Sequence, residues 1–283
     1  MKTGFVRLIL PGVLLAAQVV AAGTLAQFRT SLGDIEVELF DQQKPATVAN
    51  FIRYVESGRY QENLIHRLEP GYVMQGGGYW MSNRFATNWS AVTVISFGTL
   101  SNEFATGPRL SNTNGTIAMA KSAGNPDSAT SQWFFNLGDN SRLDTNNGGF
   151  TVFGRVVGGT NVFEQFRQFQ YYTSTNQTSN MVVLGYYPAP FNQLPVLLPV
   201  IAATNFIYCD ITLLNVHVAA VEGGREISWQ SVAGVTNRVE FTAGFSPPAW
   251  QTLVATNGDG AAMKFPDLNP AASARFYRVR VDY

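Results

Sequence analysis

The run Ile65-His66-Arg67-Leu68-Glu69-Pro70-Gly71-Tyr72-Val73-Met74-Gln75-Gly76-Gly77 restricts the fold of this chain more than any other stretch. Pro70-Gly71 is a turn dipeptide, because proline presets its own φ and glycine accepts φ > 0. The residues on either side read as two short strands. Side chains alternate faces along a strand, so Ile65 shares a face with Arg67, and Val73 shares a face with Gln75. Paired strands then place an arginine and a glutamine on one surface among apolar side chains. The glycines that follow permit a close backbone approach and a change of direction.

The same period-two pattern opens the chain. Phe28, Thr30 and Leu32 alternate before Gly33-Asp34, and Ile35, Val37 and Leu39 alternate after it, which reads as a hairpin over Leu25 to Phe40. Pro45 begins a helix at the position where its missing N–H costs nothing. Val48, Phe51, Ile52 and Val55 give that helix an apolar face, and Gly58 ends it. Residues 78 to 100 are less regular and carry Trp80, Phe85 and Trp89, read as aromatic loop packing. A second helix is expected over Thr160 to Phe169, capped by Asn161 with Glu164 as its partner and buried through Val162, Phe163, Phe166 and Phe169. Residues 170 to 205 have no clear period and read as an excursion over the surface. Ile207 to Val218 is strand-like again.

The character changes at Val221. Glu226 to Trp229, Arg238 to Phe241, Trp250 to Leu253, Met263 to Phe265 and Arg275 to Val281 are short strands separated by Gly, Pro and Asn-Gly. That cadence predicts a small β-sandwich, loosely similar to fibronectin type III modules. At the other end, Lys2 and Arg7 precede an apolar run from Leu8 to Ala22, and small residues follow. This is the pattern of a signal peptide, with cleavage expected after Ala22 or Ala26.

Composition narrows the chemistry. The 19 basic and 19 acidic side chains balance, and only 13% of residues are charged, which argues against nucleic acid as a partner. The single cysteine, Cys209, cannot form an internal disulfide. Two histidines offer too few ligands for a Cys/His zinc site, and no spaced acidic loop implies another metal. There is no G-x-S-x-G turn for a serine hydrolase. His66 adjoins Arg67 on the opposite strand face and reads as a buried, hydrogen-bonded residue. His217 reads as structural.

Two further runs join Ile65–Gly77: Gly115-Thr116-Ile117-Ala118-Met119-Ala120 followed by Ser128-Ala129-Thr130-Ser131-Gln132-Trp133-Phe134-Phe135-Asn136, and Leu143-Asp144 followed by Phe150-Thr151-Val152-Phe153-Gly154-Arg155-Val156-Val157. In this order the runs resemble the cyclophilins, the cyclosporin-binding family of peptidyl-prolyl cis-trans isomerases, and the bacterial branch more than the human cytosolic type. The resemblance spans about residues 25 to 170, with a closing strand near 206–214. It implies a mainly β protein: a closed eight-stranded antiparallel barrel with two capping helices over residues 27–218. Residues 1–26 are then the signal peptide, and 219–283 a small β-sandwich-like accessory domain.

The resemblance also implies an active site. Arg67 matches the catalytic arginine and Gln75 the glutamine that supports it. Gln132 would bond the substrate backbone and Phe134 would floor the proline pocket, while Trp133 and Phe135 point into the barrel. Tyr72, Val73, Ala120, Lys121, Leu143 and Phe150 match other substrate-binding positions. No cofactor or metal is implied. The partners are proline-containing polypeptides, with no nucleic acid, no stable membrane association after signal cleavage, and a monomeric state. The expected role is folding of exported proteins in a periplasm or outside the cell. The alternatives are a peptide-binding module with little turnover, and a surface scaffold dominated by its second domain. Several positions depart from the family pattern. Tyr72 replaces phenylalanine, Val73 replaces methionine, Lys121 and Phe150 replace the asparagine and histidine of the human-like type, and Arg142 replaces the tryptophan of cyclosporin-sensitive members.

Overall fold

The computed structural model describes residues 24–85, 89–173, 177–214, 216–231, 234, 236–244, 249–259, 262–268 and 275–282. Most of the proposed signal segment, residues 1–23, lies outside the described residues. In chain order come β1 (Leu25–Thr30), β2 (Gly33–Leu39), α1 (Pro45–Glu56), β3 (Asn63–Leu64), β4 (Arg67–Glu69), β5 (Val73–Gly76), β6 (Tyr79–Ser82), β7 (Ser90–Thr93), β8 (Thr116–Met119), β9 (Trp133–Asn136), β10 (Val152–Gly158) and α2 (Thr160–Phe166). Then follow β11 (Gln170–Tyr171), β12 (Met181–Leu184), β13 (Leu194–Leu197) and β14 (Tyr208–Leu214). The last part holds β15 (Val216–Val221), β16 (Gly224–Gln230), β17 (Thr236–Thr242), β18 (Gln251–Asn257), β19 (Ala262–Asp267) and β20 (Phe276–Asp282).

The barrel closes through one segment used twice. The main sheet runs β4-β5-β9-β8-β10-β2-β1-β14-β3-β6-β7. β3 and β4 are two halves of one stretch. Between them Ile65 N–H donates to Ile207 O at 2.9 Å and His66 N–H donates to Gln75 O at 3.2 Å. The segment therefore pairs with β14 on one side and β5 on the other, which completes a ring of eight antiparallel strand units. Alternation fixes the register: Phe28 stands opposite Ile35 and Ile211, and all three are buried. Phe28 packs edge-on to Trp133 and Phe135 with centroids 5.1 and 5.0 Å apart. Cys209 is buried in this core.

Both helices cap the barrel. α1 starts at Pro45 and stops before Gly58, which takes φ 71°, as the local pattern predicts. α1 carries no side-chain cap at Lys44. Instead the Glu103 carboxylate, from a distant loop, accepts the Ala46 and Thr47 N–H groups at 3.2 and 2.6 Å. Lys44, fully buried, donates to the carbonyls of Glu103, Phe104 and Thr106, and burial lowers its pKa. The loop and the helix start thus hold each other. α2 is shorter than expected and ends at Phe166, and its N-cap is Gly159 at φ 67°, not Asn161, which is exposed. Gly159 lies against Asp34 O and Ile35 Cα so closely that no Cβ fits. That packing overrides the capping-box pattern. Phe169 is buried just beyond the helix, stacked on Phe166.

Residues 78–100 form the hairpin β6–β7, which extends the sheet beyond β3. Trp89 packs edge-on to Phe206 and Tyr187, whereas Phe85 is exposed. Residues 170–205 are not a surface excursion. They fold into the sheet β11-β12-β13 over a second core of Leu64, Met81, Val182, Leu184, Leu194, Val196, Ala203 and Phe206. β12 shows no alternation because both its faces are covered: Val183 enters the main core while Val182 and Leu184 enter the second.

The strand expected over Ile207 to Val218 is two. β14 pairs with β1 in the barrel, while β15 pairs with β16, so the hand-over falls between Leu214 and Val216. Two three-stranded sheets, β15-β16-β19 and β18-β17-β20, enclose Ile227, Trp229, Val239 and Val279. This is the sandwich that the cadence predicts. His217 is exposed on β15 rather than structural. Glu36 of β2 feels the charges of Arg278, Arg280 and Glu240 in the tail. Burial raises the Glu36 pKa against the pull of the arginines.

Candidate active site

The site is built on three adjacent strands. Arg67 of β4 stands opposite Gln75 of β5, and Gln75 stands opposite Phe134 of β9. Directly opposite side chains lie on one face of a sheet within about 5 Å at Cβ, so pairing alone sets arginine, glutamine and phenylalanine in one row. Gln132, two residues before Phe134, joins them: Gln75 Nε2 donates to Gln132 Oε1 at 2.8 Å. Glycines make room for it. At Gly78 a Cβ would stand 2.9 Å from Gln132 Cδ, and at Gly77, with φ 79°, it would stand 2.8 Å from Trp133 Cδ1.

Beside this polar row lies an apolar basin. Val73, Phe134 and Leu143 are buried in it with Ala118 and Val152, and Tyr72, Ala120 and Phe150 pack on it partly exposed. Phe134 and Phe150 meet edge-on at 5.7 Å. Trp133 and Phe135 face the barrel core, as alternation predicts. A buried amide network holds the basin's wall. Asn136 Nδ2 donates to Asn112 Oδ1 and Thr116 Oγ1, and Asn140 Nδ2 donates to Asn136 Oδ1 and Tyr72 O. Asn112 in turn donates to the Asp144 carboxylate. The short turn Ser141–Asp144, which carries Leu143, is thereby tied to β9.

Lys121 lies beside Phe150 of the basin. Its Nζ donates to Asn147 O at 2.8 Å and Gly149 O at 2.6 Å and lies 4.7 Å from the Phe150 ring centroid. Burial lowers its pKa. The ammonium therefore ties down the loop that presents Phe150, since a partly buried charge needs hydrogen-bond partners to offset its desolvation. Arg142 is exposed at the rim.

Arg67 is ordered on several sides. Its Nη1 donates to Gln75 Oε1 at 3.4 Å, its Nη2 to Glu69 Oε2 at 3.0 Å, and its Nε to Gln193 Oε1 at 2.7 Å. The guanidinium carbon is 5.8 Å from the Tyr72 ring centroid. Glu69 and Gln193 are absent from the expected set. Glu69 follows Arg67 by two positions and so shares its strand face, a signal present in the sequence. Gln193 lies far along the chain and gives none.

His66 is buried at 2% exposure behind this row and packs edge-on to Tyr79 at 4.9 Å. Its Nδ1 has no hydrogen-bond partner, but the ring bonds to the Leu64 backbone and the Gln132 side chain, in keeping with the buried, hydrogen-bonded histidine expected. Desolvation is the main cause that lowers its pKa to about 4, so the ring is neutral near pH 7. Among the described residues no group of three or more His, Cys, Asp and Glu side chains is placed to hold a metal ion.

Residues 25–186 match the family described as cyclophilin type peptidyl-prolyl cis-trans isomerase/CLD. A peptidyl-prolyl cis-trans isomerase of Acinetobacter baylyi is 38% identical over 162 residues, 56% of this chain and 80% of the relative. Peptidyl-prolyl cis-trans isomerase A of Dickeya dadantii is 42% identical over 144 residues, 50% of this chain and 70% of its own. Peptidyl-prolyl cis-trans isomerase B of Escherichia coli is 34% identical over 148 residues, covering 50% and 84%. The chain belongs to the cyclophilin-type peptidyl-prolyl cis-trans isomerase family.

Proposed function

We propose that the chain turns X-Pro bonds in exported polypeptides, with Arg67 as the catalytic residue. Rotation about a peptide bond breaks amide resonance and faces a barrier of about 18–20 kcal/mol. No covalent step is needed. A catalyst must hold the proline ring and favour the twisted amide over either planar form. The basin of Val73, Phe134 and Leu143 holds the ring. A fixed guanidinium at its edge stabilises the twisted amide, whose nitrogen regains a lone pair and whose carbonyl oxygen has moved. Gln132 donates to the substrate backbone. The supporting observation is the single row Arg67–Gln75–Gln132 along that basin.

A second reading has one observation in its favour. Arg67 is already bonded to the Glu69 carboxylate, which offsets part of its charge and suits a peptide-binding module with little turnover. An isomerisation assay on the purified protein separates the two: the enzyme reading expects catalysed exchange of a short X-Pro peptide, and the binding reading expects peptide affinity without it.

Export rests on Lys2, Arg7 and the apolar run that follows. The destination under this reading is a periplasm or the exterior. Among the described residues no helix is long and apolar enough to cross a membrane.

A further inference from the structure

We propose that Gln193 and Glu69 are positioning residues for Arg67, and that the β12–β13 segment enters the active site through Gln193. The inference rests on the reading that Arg67 carries turnover. Gln193 is tied to β4 twice. Its backbone carbonyl accepts the Leu68 N–H at 2.7 Å, in a parallel bridge between Arg67 and Gln193. Its side-chain oxygen accepts the Arg67 Nε–H at 2.7 Å. The amide nitrogen of Gln193 donates to Glu69 Oε2 at 3.4 Å, the same oxygen that accepts Arg67 Nη2–H at 3.0 Å. Arginine, glutamate and glutamine thus form a closed triangle, with Gln75 on the fourth contact.

The triangle is half-buried: the Arg67 and Glu69 side chains are 34% and 36% exposed. A long, flexible arginine in that setting moves among rotamers unless several partners fix it. Catalysis by a fixed charge works because the group is ordered before the reaction begins, and a group that touches the substrate keeps its geometry only when its support is rigid. The support here has its own foundation. Gln193 directly precedes β13, whose Leu194 and Val196 are buried in the second core against Val182 and Leu184. This second core sets where Gln193 stands, and Gln193 sets the plane of the guanidinium.

The test uses the full chain with Arg67→Ala, Gln193→Met, Glu69→Gln and the double variant Arg67→Ala/Gln193→Met. Methionine keeps the length of glutamine and the backbone pairing but removes the acceptor. Two quantities are read: kcat and KM for a short X-Pro peptide, and the Arg67 Nε–Hε resonance by NMR. Loss of a charged hydrogen bond predicts about a tenfold fall in kcat for Gln193→Met, with KM changed less than twofold and the Nε–Hε signal broadened by exchange. In the Arg67→Ala background Gln193→Met should cost nothing further. Glu69→Gln, which keeps an acceptor, should rescue most of the resonance. If Arg67→Ala is inactive while Gln193→Met keeps the wild-type kcat and a sharp resonance, this inference alone falls. If Arg67→Ala turns over at the wild-type rate, the reading beneath it falls and the inference goes with it. Should Gln193→Met fail to fold by circular dichroism, Gln193→Glu, which keeps the Nε acceptor, must fold and keep the resonance; a folded Gln193→Glu without that resonance overturns the proposal.

Discussion

Gln75 and Gln132 decide each other's orientation: Gln75 Nε2 donates to Gln132 Oε1 at 2.8 Å while Gln75 Oε1 accepts from Arg67. With both ends of Gln75 committed, the oxygen of Gln132 is taken by Gln75, and the Gln132 side chain also bonds His66; under the proposed function its amide nitrogen is the group that meets the substrate backbone. The relay converts the position of one cation into the polarity of a side chain on the next strand.

Replacing Gln75 by leucine keeps volume but removes both bonds. The expected result is about a tenfold or larger fall in kcat/KM, since hydrogen bonds to charged groups are worth about 1.5–3 kcal/mol. Gln132 also loses its orientation, so the affinity for a non-reactive X-Pro peptide should fall in the same variant. Titration calorimetry on that peptide checks the second half.

His66 predicts an acid limb of stability. Burial lowers its folded pKa to about 4 from 6.5, so between these values the unfolded chain binds more protons than the folded one. Stability contributed by this residue is complete above about pH 6.5 and is lost as pH falls toward 4. The loss at pH 5 relative to pH 7.5 should be about 2 kcal/mol. Urea unfolding of wild type and His66→Gln at both pH values measures it. A wild-type difference no larger than that of the variant removes His66 as the cause.

Strand β1 sharpens the export prediction. Leu25 and Ala26 already pair with β2 and β14, and Thr24 is held by Asp41 through N–H and Oγ1 bonds, both 2.7 Å. Of the two cleavage sites expected, the one after Ala22 keeps these contacts. Mass spectrometry of protein from its native host should find Gly23 at the N-terminus. Intact Met1 in a cytoplasmic fraction would contradict export.

The tail should be dispensable for chemistry. The basin and the polar row come from β4 to β10 and from Gln193, and β15 begins a separate pairing. Truncation after Leu214 should leave turnover of a short peptide within about threefold of the full chain, given a folded product by circular dichroism. About 60 residues is marginal for an independent core, so the tail alone should be much less stable than the barrel. A folded truncation with a small fraction of the activity would show that the tail shapes the site.

Much of the site is legible along the chain because strand geometry is local. Alternation around Pro70-Gly71 puts Arg67 and Gln75 on one surface, and the same rule sorts Gln132 and Phe134 from Trp133 and Phe135. Contacts that come from distant chain are not legible. Gln193 reaches Arg67 only because the β12–β13 segment folds over its own core, and that segment hides its strands by burying both faces of β12. Lys121 has a pocket position by sequence but spends its charge on two carbonyls of a neighbouring loop. Gly159 displaces Asn161 as the cap of α2 because Asp34 crowds it, a contact that no local pattern contains.

The most direct test of the account is turnover by Arg67→Ala. The loss of one preorganised electrostatic donor costs about 2.7–4 kcal/mol, so kcat/KM for a short X-Pro peptide should fall by about a hundredfold or more, with the circular dichroism spectrum and thermal unfolding unchanged within a few degrees. A folded Arg67→Ala protein that isomerises the peptide at the wild-type rate would contradict it.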